Sequence, residues 1–598
     1  MLQRALEHLR RNQALEASAL LDKILTQQPD EPEALQLMGV VRRMQGRADQ
    51  AEALYCRSLA LKPDQSQVHH NLGNLYFSQN RFDEAIAAHR EALKLKPNYV
   101  EAHVNLGLAH YHKGELLAAE KCYRQALRIQ PNFLIAKQSL GAVLNDLERP
   151  KEAEIVLRQA LAIGSRDPQQ VAIVEHNLGV SVSKQHRHGE ALALFSSAQS
   201  KIPDMPAVDY NRATALQGIG RYEEAVVFYQ RALASNPRDL AVHGDLNELL
   251  YRLGRDDLFL RSYDDAAALQ PEAGELPQAK GIYLFMRESF AEALIEFERA
   301  SRIYPNDPIP HDALGLTHAR LNNFEIAVRE HEAALTLNAK DPQFWRNYAE
   351  TLLRLGDFKK GLETVDRAIE LDGQHQSALA LRGTALALLA DARENELNNY
   401  QDFIQVVELE PPRGYPDMRS FNDDLNVYLD RLHTSVREPV EQSLRGGTQT
   451  MDNLFGRGHD LVERLRERLD EAVTAFIARM KESPDHPFLR RRGSGFGYSA
   501  SWSSRLNDCG FHANHFHPMG WISSAYYVAL PDAIADEAGK QGWLKFGQPN
   551  FDAGITERRV VRPQIGSLVL FPSYMWHGTT PFRSEQKRTT IAFDVIPK

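Results

Sequence analysis

The chain falls into two textures. From its start to about residue 395, apolar side chains recur every three to four positions, the period of helices with one buried face. A longer period is laid over the short one. Glycines stand 34 residues apart at Gly39, Gly73, Gly107 and Gly141, and twelve residues after each comes an alanine: Ala51, Ala85, Ala119 and Ala153. Pro63, Pro97 and Pro131 close three of these units. After an insertion of four residues near Ser165 to Gln170 the frame resumes with Gly179, Ala191 and Pro203. It passes through Ala213, Ala225 and Pro237, weakens in a unit ending at Pro271, and returns with Gly281, Ala293, Pro305, Gly315 and Ala327; Gly383 is the last glycine in phase. Small residues at the glycine and alanine positions let two antiparallel helices approach closely. Larger ones such as Leu72, Tyr76 and Leu93 fill the seam, and proline ends the unit because it cannot continue a helix interior. From Ser494 onward the pattern changes to short apolar-aromatic runs broken by glycine and proline, which predict strands over 497–504, 523–530, 543–547, 567–571 and 589–596.

The helix-pair period resembles the tetratricopeptide repeat, with about eleven units over residues 1–395. That resemblance implies an all-α superhelix whose extended concave surface binds a protein or peptide partner; a spacer or self-association platform is the other use of such an array. His69, His70, His103, His110 and His112 lie on several different helices and read as surface or hydrogen-bonded core residues. Periodicity lapses after Ala390, and Glu408 to Pro416, with three prolines and a glycine, reads as a break. Two helices follow, at about 423–433 and 458–481, the second with Leu461, Leu465, Leu469, Val473 and Phe476 on one face. The polar Leu444–Thr450 stretch between them reads as a connector. The expected organisation is multidomain: repeats over 1–395, a linker and helical lead-in over 396–490, and a mostly-β domain of sandwich or jelly-roll type over 491–598.

Charge and cysteines narrow the class. A net charge of -9 spread over 598 residues argues mildly against a nucleic-acid partner. No run approaches the eighteen or so apolar residues of a membrane span, and charges scattered through Met1 to Leu21 do not read as a signal peptide. Cys56, Cys122 and Cys509 form no paired motif, which fits a reducing, cytoplasmic setting, with the first two expected as small buried thiols. Oligomeric state is not encoded in any of these patterns.

The candidate chemistry sits in the last hundred residues. His515 and His517, two apart on an extended segment, leave the same face, and neutral imidazole is a common ligand for iron, zinc and copper. His577 follows an apolar strand. Eleven residues later, Arg588 shares one face of the final strand with Thr590 and Asp594. Arginine presents a planar fork suited to a carboxylate, whether that of a ligand or of Asp594. Trp521, Trp543 and Trp576 are candidate walls for such a site.

A paired metal-ligand motif, a distal histidine and an arginine about ten residues on resemble the iron(II)/2-oxoglutarate-dependent oxygenases. The runs His515-Phe-His-Pro-Met-Gly-Trp-Ile-Ser-Ser-Ala-Tyr-Tyr-Val528, Trp543-Leu-Lys-Phe-Gly547 and Leu568-Val-Leu-Phe-Pro-Ser-Tyr-Met-Trp-His577 are similar to a bacterial group of that superfamily whose members often carry tetratricopeptide repeats in front. The resemblance covers about residues 413–598. It implies a double-stranded β-helix (jelly-roll) core, iron(II) and 2-oxoglutarate, with His515 and His577 as ligands and Arg588 on the distal carboxylate, partnered by the hydroxyl of Tyr527 or Thr590. Such sites usually hold iron with two histidines and a carboxylate, and His517 stands where the acid is expected. Three arrangements are open: His515, His517 and His577 together; His517 first, with Met519 at the acid position; or an acid from elsewhere, such as Asp552. An adaptor whose C-terminal domain has lost catalysis, and a zinc- or manganese-dependent cupin-like enzyme, are the competing expectations.

Overall fold

The computed structural model describes residues 1–205, 207–440, 442–450 and 453–598. They divide into two compact units, Met1–Arg221 and Tyr222–Lys598.

The first unit is built of antiparallel helix pairs such as Pro32–Met44 with Ala48–Leu61 and Val100–His112 with Leu116–Ile129. The glycine in each pair has a definite steric cause. A Cβ on Gly39 would come 2.5 Å from the Tyr55 ring, on Gly107 2.7 Å from Tyr123, and on Gly179 2.5 Å from Phe195. Each glycine therefore seats a large side chain from the second helix, in an interior packed too densely to yield. Gly281 with Phe297 and Gly315 with His331 repeat the arrangement in the second unit. The expectation of buried thiols is corrected by the same geometry. Cys56 is exposed and Cys122 only half-buried, because Tyr55 and Tyr123 take the seam and an adjacent helical position points about 100° away. All three cysteines are free.

In the second unit the last repeats run into the β domain without a break in the core. One apolar cluster extends from Leu353 and Leu386 through Leu465 and Val473 to Tyr526, Phe571 and Phe593. The strands are β1 (Gln405–Glu408), β2 (Leu444–Gln449), β3 (Phe496–His512), β4 (Ile522–Ala529), β5 (Leu544–Phe546), β6 (Arg559–Val561), β7 (Ser567–Pro572), β8 (His577–Thr579) and β9 (Arg588–Pro597). Two antiparallel sheets form, ordered β1-β7-β4-β9-β3-β2 and β6-β5-β8, an arrangement of jelly-roll type. Helices Met418–Asp430 and Asp460–Arg479 bury their apolar faces in the same core, and the Tyr526 hydroxyl donates to Asn422 (2.7 Å).

The five strands expected from alternation correspond to β3, β4, β5, β7 and β9. The connector assigned to Leu444–Thr450 is corrected: it is edge strand β2, paired with β3 from Leu444↔His512 to Gln449↔Ser504. Gly446 and Gly447 hid it, since they carry no apolar alternation. A Cβ on Gly447 would lie 2.2 Å from the Arg505 carbonyl, so only glycine permits this pairing. Among the described residues no helix is long and apolar enough to cross a membrane.

Candidate metal centre

His515 and His577 come from segments 62 residues apart, yet their backbones form a two-bond antiparallel bridge. The His515 N–H donates to the His577 carbonyl (2.8 Å) and the His577 N–H to the His515 carbonyl (2.9 Å). A paired bridge of this kind sends both side chains to one face, and the ring centroids lie 4.1 Å apart. The His517 N–H is fixed in turn by the Ser573 carbonyl (2.8 Å) at the end of β7, and its ring lies 5.1 Å from that of His515 and 5.0 Å from that of His577. One ring nitrogen from each histidine falls in a group whose members all lie within 4.8 Å of one another.

The hydrogen bonds behind the rings decide which nitrogen faces inward. His515 Nδ1 lies 2.8 Å from the Ala513 carbonyl, His577 Nδ1 2.9 Å from the Met575 carbonyl, and His517 Nδ1 2.6 Å from Asp594 Oδ1. Carbonyls and carboxylates only accept, so each Nδ1 carries a proton, and in the neutral ring Nε2 is then a bare lone pair. Two of those lone pairs, on His515 and His517, face each other at 3.2 Å. Two acceptors at that distance repel unless a cation or a shared proton lies between them. Burial pushes the His515 ring down to about 3, helped by the neighbouring His517, and drives His577 well below the usual imidazole range. Both rings are therefore neutral at pH 7 and competent as ligands. A divalent cation fits this donor set.

Asp594 is the nearest acid, and it is already committed. Its Oδ1 accepts from His517 and from the Ser523 hydroxyl (2.6 Å), as the register Ser523↔Asp594 between β4 and β9 requires. It is not the partner of Arg588. Of the residues in the other arrangements left open by the sequence, Met519 is 77% exposed, and Asp552 is an exposed loop residue accepting from the Gly554 N–H. The three expected tryptophan walls also point elsewhere. Trp521, Trp543 and Trp576 donate to the Phe488 carbonyl, the Ile534 carbonyl and Thr384, and Trp502 lies beside the cluster instead, 5.6 Å from His517.

Inward from the histidines, β9 alternation lines a cavity of about 50 Å³ with Arg588, Thr590 and Ala592, and His512 and Phe571 are among its other walls. Arg588 is 2% exposed, pairs with no carboxylate among the described residues, and leaves its Nε without a partner. Its guanidinium lies 5.2 Å from the centre of the Tyr527 ring. The Tyr527 hydroxyl is buried beside that guanidinium and has no closer hydrogen-bond partner among the described residues. Burial lowers the Arg588 pKa and raises that of Tyr527. The Thr590 hydroxyl has only a 3.5 Å contact to the Ser504 carbonyl. A buried cation beside unfilled hydroxyls is costly without an anion, so the cavity suits a carboxylate. His512, which sequence reasoning passed over, had a signal in the spacing His512, His515, His517.

Residues 500–594 match the family described as "Putative 2OG-Fe(II) oxygenase". Tetratricopeptide-repeat families match residues 42–88, 73–114, 100–133, 183–244 and 313–375. Human tetratricopeptide repeat protein 13 is 28% identical over 153 residues, which is 25% of this chain and 18% of that protein. The Arabidopsis thaliana TPR repeat-containing thioredoxin TTL4 is 41% identical over 71 residues, 12% of this chain and 10% of that protein. The chain thus spans less than a fifth of either relative. The solved structure of Pseudomonas aeruginosa pilF aligns over 36% of this chain and 95% of its own, at 20% identity and a TM-score of 0.32. The chain is a tetratricopeptide-repeat protein that carries, at residues 500–594, a domain of that oxygenase family.

Proposed function

We propose that the C-terminal domain is an iron(II)- and 2-oxoglutarate-dependent dioxygenase of the hydroxylase type, and that the repeats recruit its protein or peptide partner. In this reading His515, His517 and His577 hold the metal through Nε2, Arg588 neutralises the distal carboxylate of 2-oxoglutarate, and Tyr527 and Thr590 offer it hydroxyl hydrogen bonds. The observation that carries the reading is the tautomer set: three Nδ1–H groups tied back to fixed acceptors leave three Nε2 lone pairs converging. When bound, iron(II) and 2-oxoglutarate supply the oxidising power to place an oxygen atom from dioxygen into a substrate C–H bond.

The chain's own residues orient and enclose. Asp594 holds His517 in one tautomer and lends it negative character, so the carboxylate that such sites usually place on the metal stands one hydrogen bond behind a histidine. Phe571, whose ring centre lies 4.6 Å from that of His577, presents apolar surface that keeps water from one side. Arg588 attracts and aligns a dicarboxylate end-on. A hundredfold preference for a dianion needs only about 2.7 kcal/mol, within reach of one or two charge-assisted hydrogen bonds of about 1.5–3 kcal/mol each.

The test is an anaerobic titration of metal-free protein with iron(II) and 2-oxoglutarate, followed by their visible charge-transfer absorption. A saturable band that is lost in His577→Ala supports the reading; a folded wild type that shows none refutes it. A second reading has its own support: among the described residues no carboxylate joins the three histidines as a ligand, Asp594 standing behind His517. A non-catalytic adaptor with a degenerate site would bind metal yet form no succinate from 2-oxoglutarate in air.

A further inference from the structure

Outside the histidines lies a second, larger cleft of about 640 Å³, sharing His515, His517 and Trp502 with the inner cavity. Its character is unlike that of the cavity. Among the described residues it is lined by Trp502, Phe516, Pro518 and Met519 together with hydroxyl and carboxamide side chains, and has no lysine, arginine or glutamate. The one carboxylate, Asp594, is spent on His517 and Ser523.

Most of the polar groups are satisfied internally. The Ser501 hydroxyl accepts from the Phe455 N–H and donates to Asn453, the Thr450 hydroxyl accepts from the Ser503 N–H, and Ser443 contacts His512 Nδ1 at 3.3 Å. Gln442 and Gln449 differ. Both border the cleft and the cavity together, and neither carboxamide has a hydrogen-bond partner among the described residues. Each presents two donors and one acceptor oxygen, the complement of another amide.

The backbone of Gln449 and the segment that precedes Gln442 are tied to the repeats. Helix Leu240–Arg252 ends against the segment that carries them: the Arg252 carbonyl accepts from the N–H groups of Val436 (3.0 Å) and Arg437 (3.4 Å), and the Arg252 guanidinium donates to the Gln449 carbonyl. Arg437 and Asp256 add a two-bond ion pair, both contacts at 2.7 Å, and Tyr222 and Thr434 share a 2.6 Å hydroxyl bond. Thr434, Val436 and Arg437 on one side and Gln449 on the other are thus tied to the repeats.

We propose that this cleft is the substrate-recognition site, that it selects an uncharged stretch of polypeptide, and that Gln442 and Gln449 determine this specificity by clasping a backbone or side-chain amide. The inference rests on the oxygenase reading for its chemistry, but not for its binding. A charged side chain entering the cleft would leave water without a counter-charge among the described lining residues, which disfavours it. An amide exchanges its water for two carboxamides. Arg252 is a positioning residue, its guanidinium acting through the Gln449 carbonyl.

The experiment uses immobilised full-length protein and three pools of N-acetylated, C-amidated random hexapeptides: neutral, lysine-containing and glutamate-containing. The neutral pool is expected to be retained best. Retention should fall about tenfold, or about 1.4 kcal/mol, in the Gln442→Leu/Gln449→Leu double variant. Gln449→Lys should move the preference to the glutamate pool and Gln449→Glu to the lysine pool. Arg252→Met should weaken retention and raise amide exchange across residues 442–450. Preferential retention of a charged pool by wild type, retention unchanged in the double variant, or no retention at all overturns the proposal. Succinate formation is scored separately. Retention as expected without turnover sinks the oxygenase reading and leaves the cleft assignment standing; turnover without retention does the reverse.

Discussion

Asp594→Asn is the sharpest perturbation of the centre, because it changes one charge and almost no volume. Asp594 is 6% exposed, and its Oδ1 takes two protons' worth of hydrogen bonding at 2.6 Å, from His517 and Ser523. An asparagine in the same place either offers a neutral oxygen to His517 Nδ1–H or turns its NH2 toward the ring. The first replaces a charge-assisted bond by one about half as strong. The second forces the proton onto Nε2 and removes that lone pair from the cluster. Outer partners of metal-ligating histidines contribute about 10–100-fold in affinity, which is about 1.4–2.7 kcal/mol. The expected result is a loss in that range for iron(II), or for zinc as a stable surrogate, measured by anaerobic competition against a chelator of known affinity. Removing a ligand outright, in His577→Ala, should cost more. If Asp594→Asn binds metal within twofold of wild type while His577→Ala does not, Asp594 is only a structural hydrogen-bond acceptor and the argument about tautomers fails.

Three further outcomes follow from the same physics. Arg588→Leu should weaken 2-oxoglutarate binding by about a hundredfold, roughly 2.7 kcal/mol, yet leave the thermal midpoint unchanged or higher, since it removes a buried cation that no internal carboxylate balances; a lower midpoint with unchanged binding would contradict this. In the repeats, Gly107→Ala places a Cβ 2.7 Å from the Tyr123 ring and should destabilise by about 1–3 kcal/mol, whereas Gly189→Ala, a helical site with open space around it, should be neutral or stabilising by up to about 1 kcal/mol; thermal melts followed by helical circular dichroism separate the two. His89 is fully buried, both its ring nitrogens lack partners, and burial pushes its pKa down to about 3. The unfolded ring takes a proton below about 6.5 and the folded ring does not, so stability falls as pH drops from 6.5 toward 3, by about 1.4 kcal/mol per pH unit. His89→Leu should therefore gain about 2–3 kcal/mol more over wild type at pH 4.5 than at pH 7 in urea titrations, and an equal difference at both pH values would refute the assignment.

How much of this could be read from the chain varies with the range of the interaction. The repeats were legible because each glycine answers to a side chain sixteen positions later, and that short-range constraint recurs at a fixed period. Long strands such as β4 and β9 announced themselves by alternation. Strand β2 did not, because its two glycines satisfy a close backbone approach rather than a core, and three-residue strands such as β6 and β8 are shorter than any periodicity. Within the centre, His515, His517, His577 and Arg588 stood out by residue type and spacing, and the structure brings the three histidines together.

What the sequence determined by itself is therefore the local and the repetitive: helical repeats, strand faces, and the residue types that metal and carboxylate chemistry need. The tertiary structure decided pairings. Asp594 shares a strand face with Arg588 and could have neutralised it, but its carboxylate goes to His517 and Ser523 instead, and the backbone of Gln449 in β2 is tied to a repeat helix nearly two hundred residues earlier. Such choices depend on contacts between segments distant in the chain, whose geometry exists only once the core between them has packed.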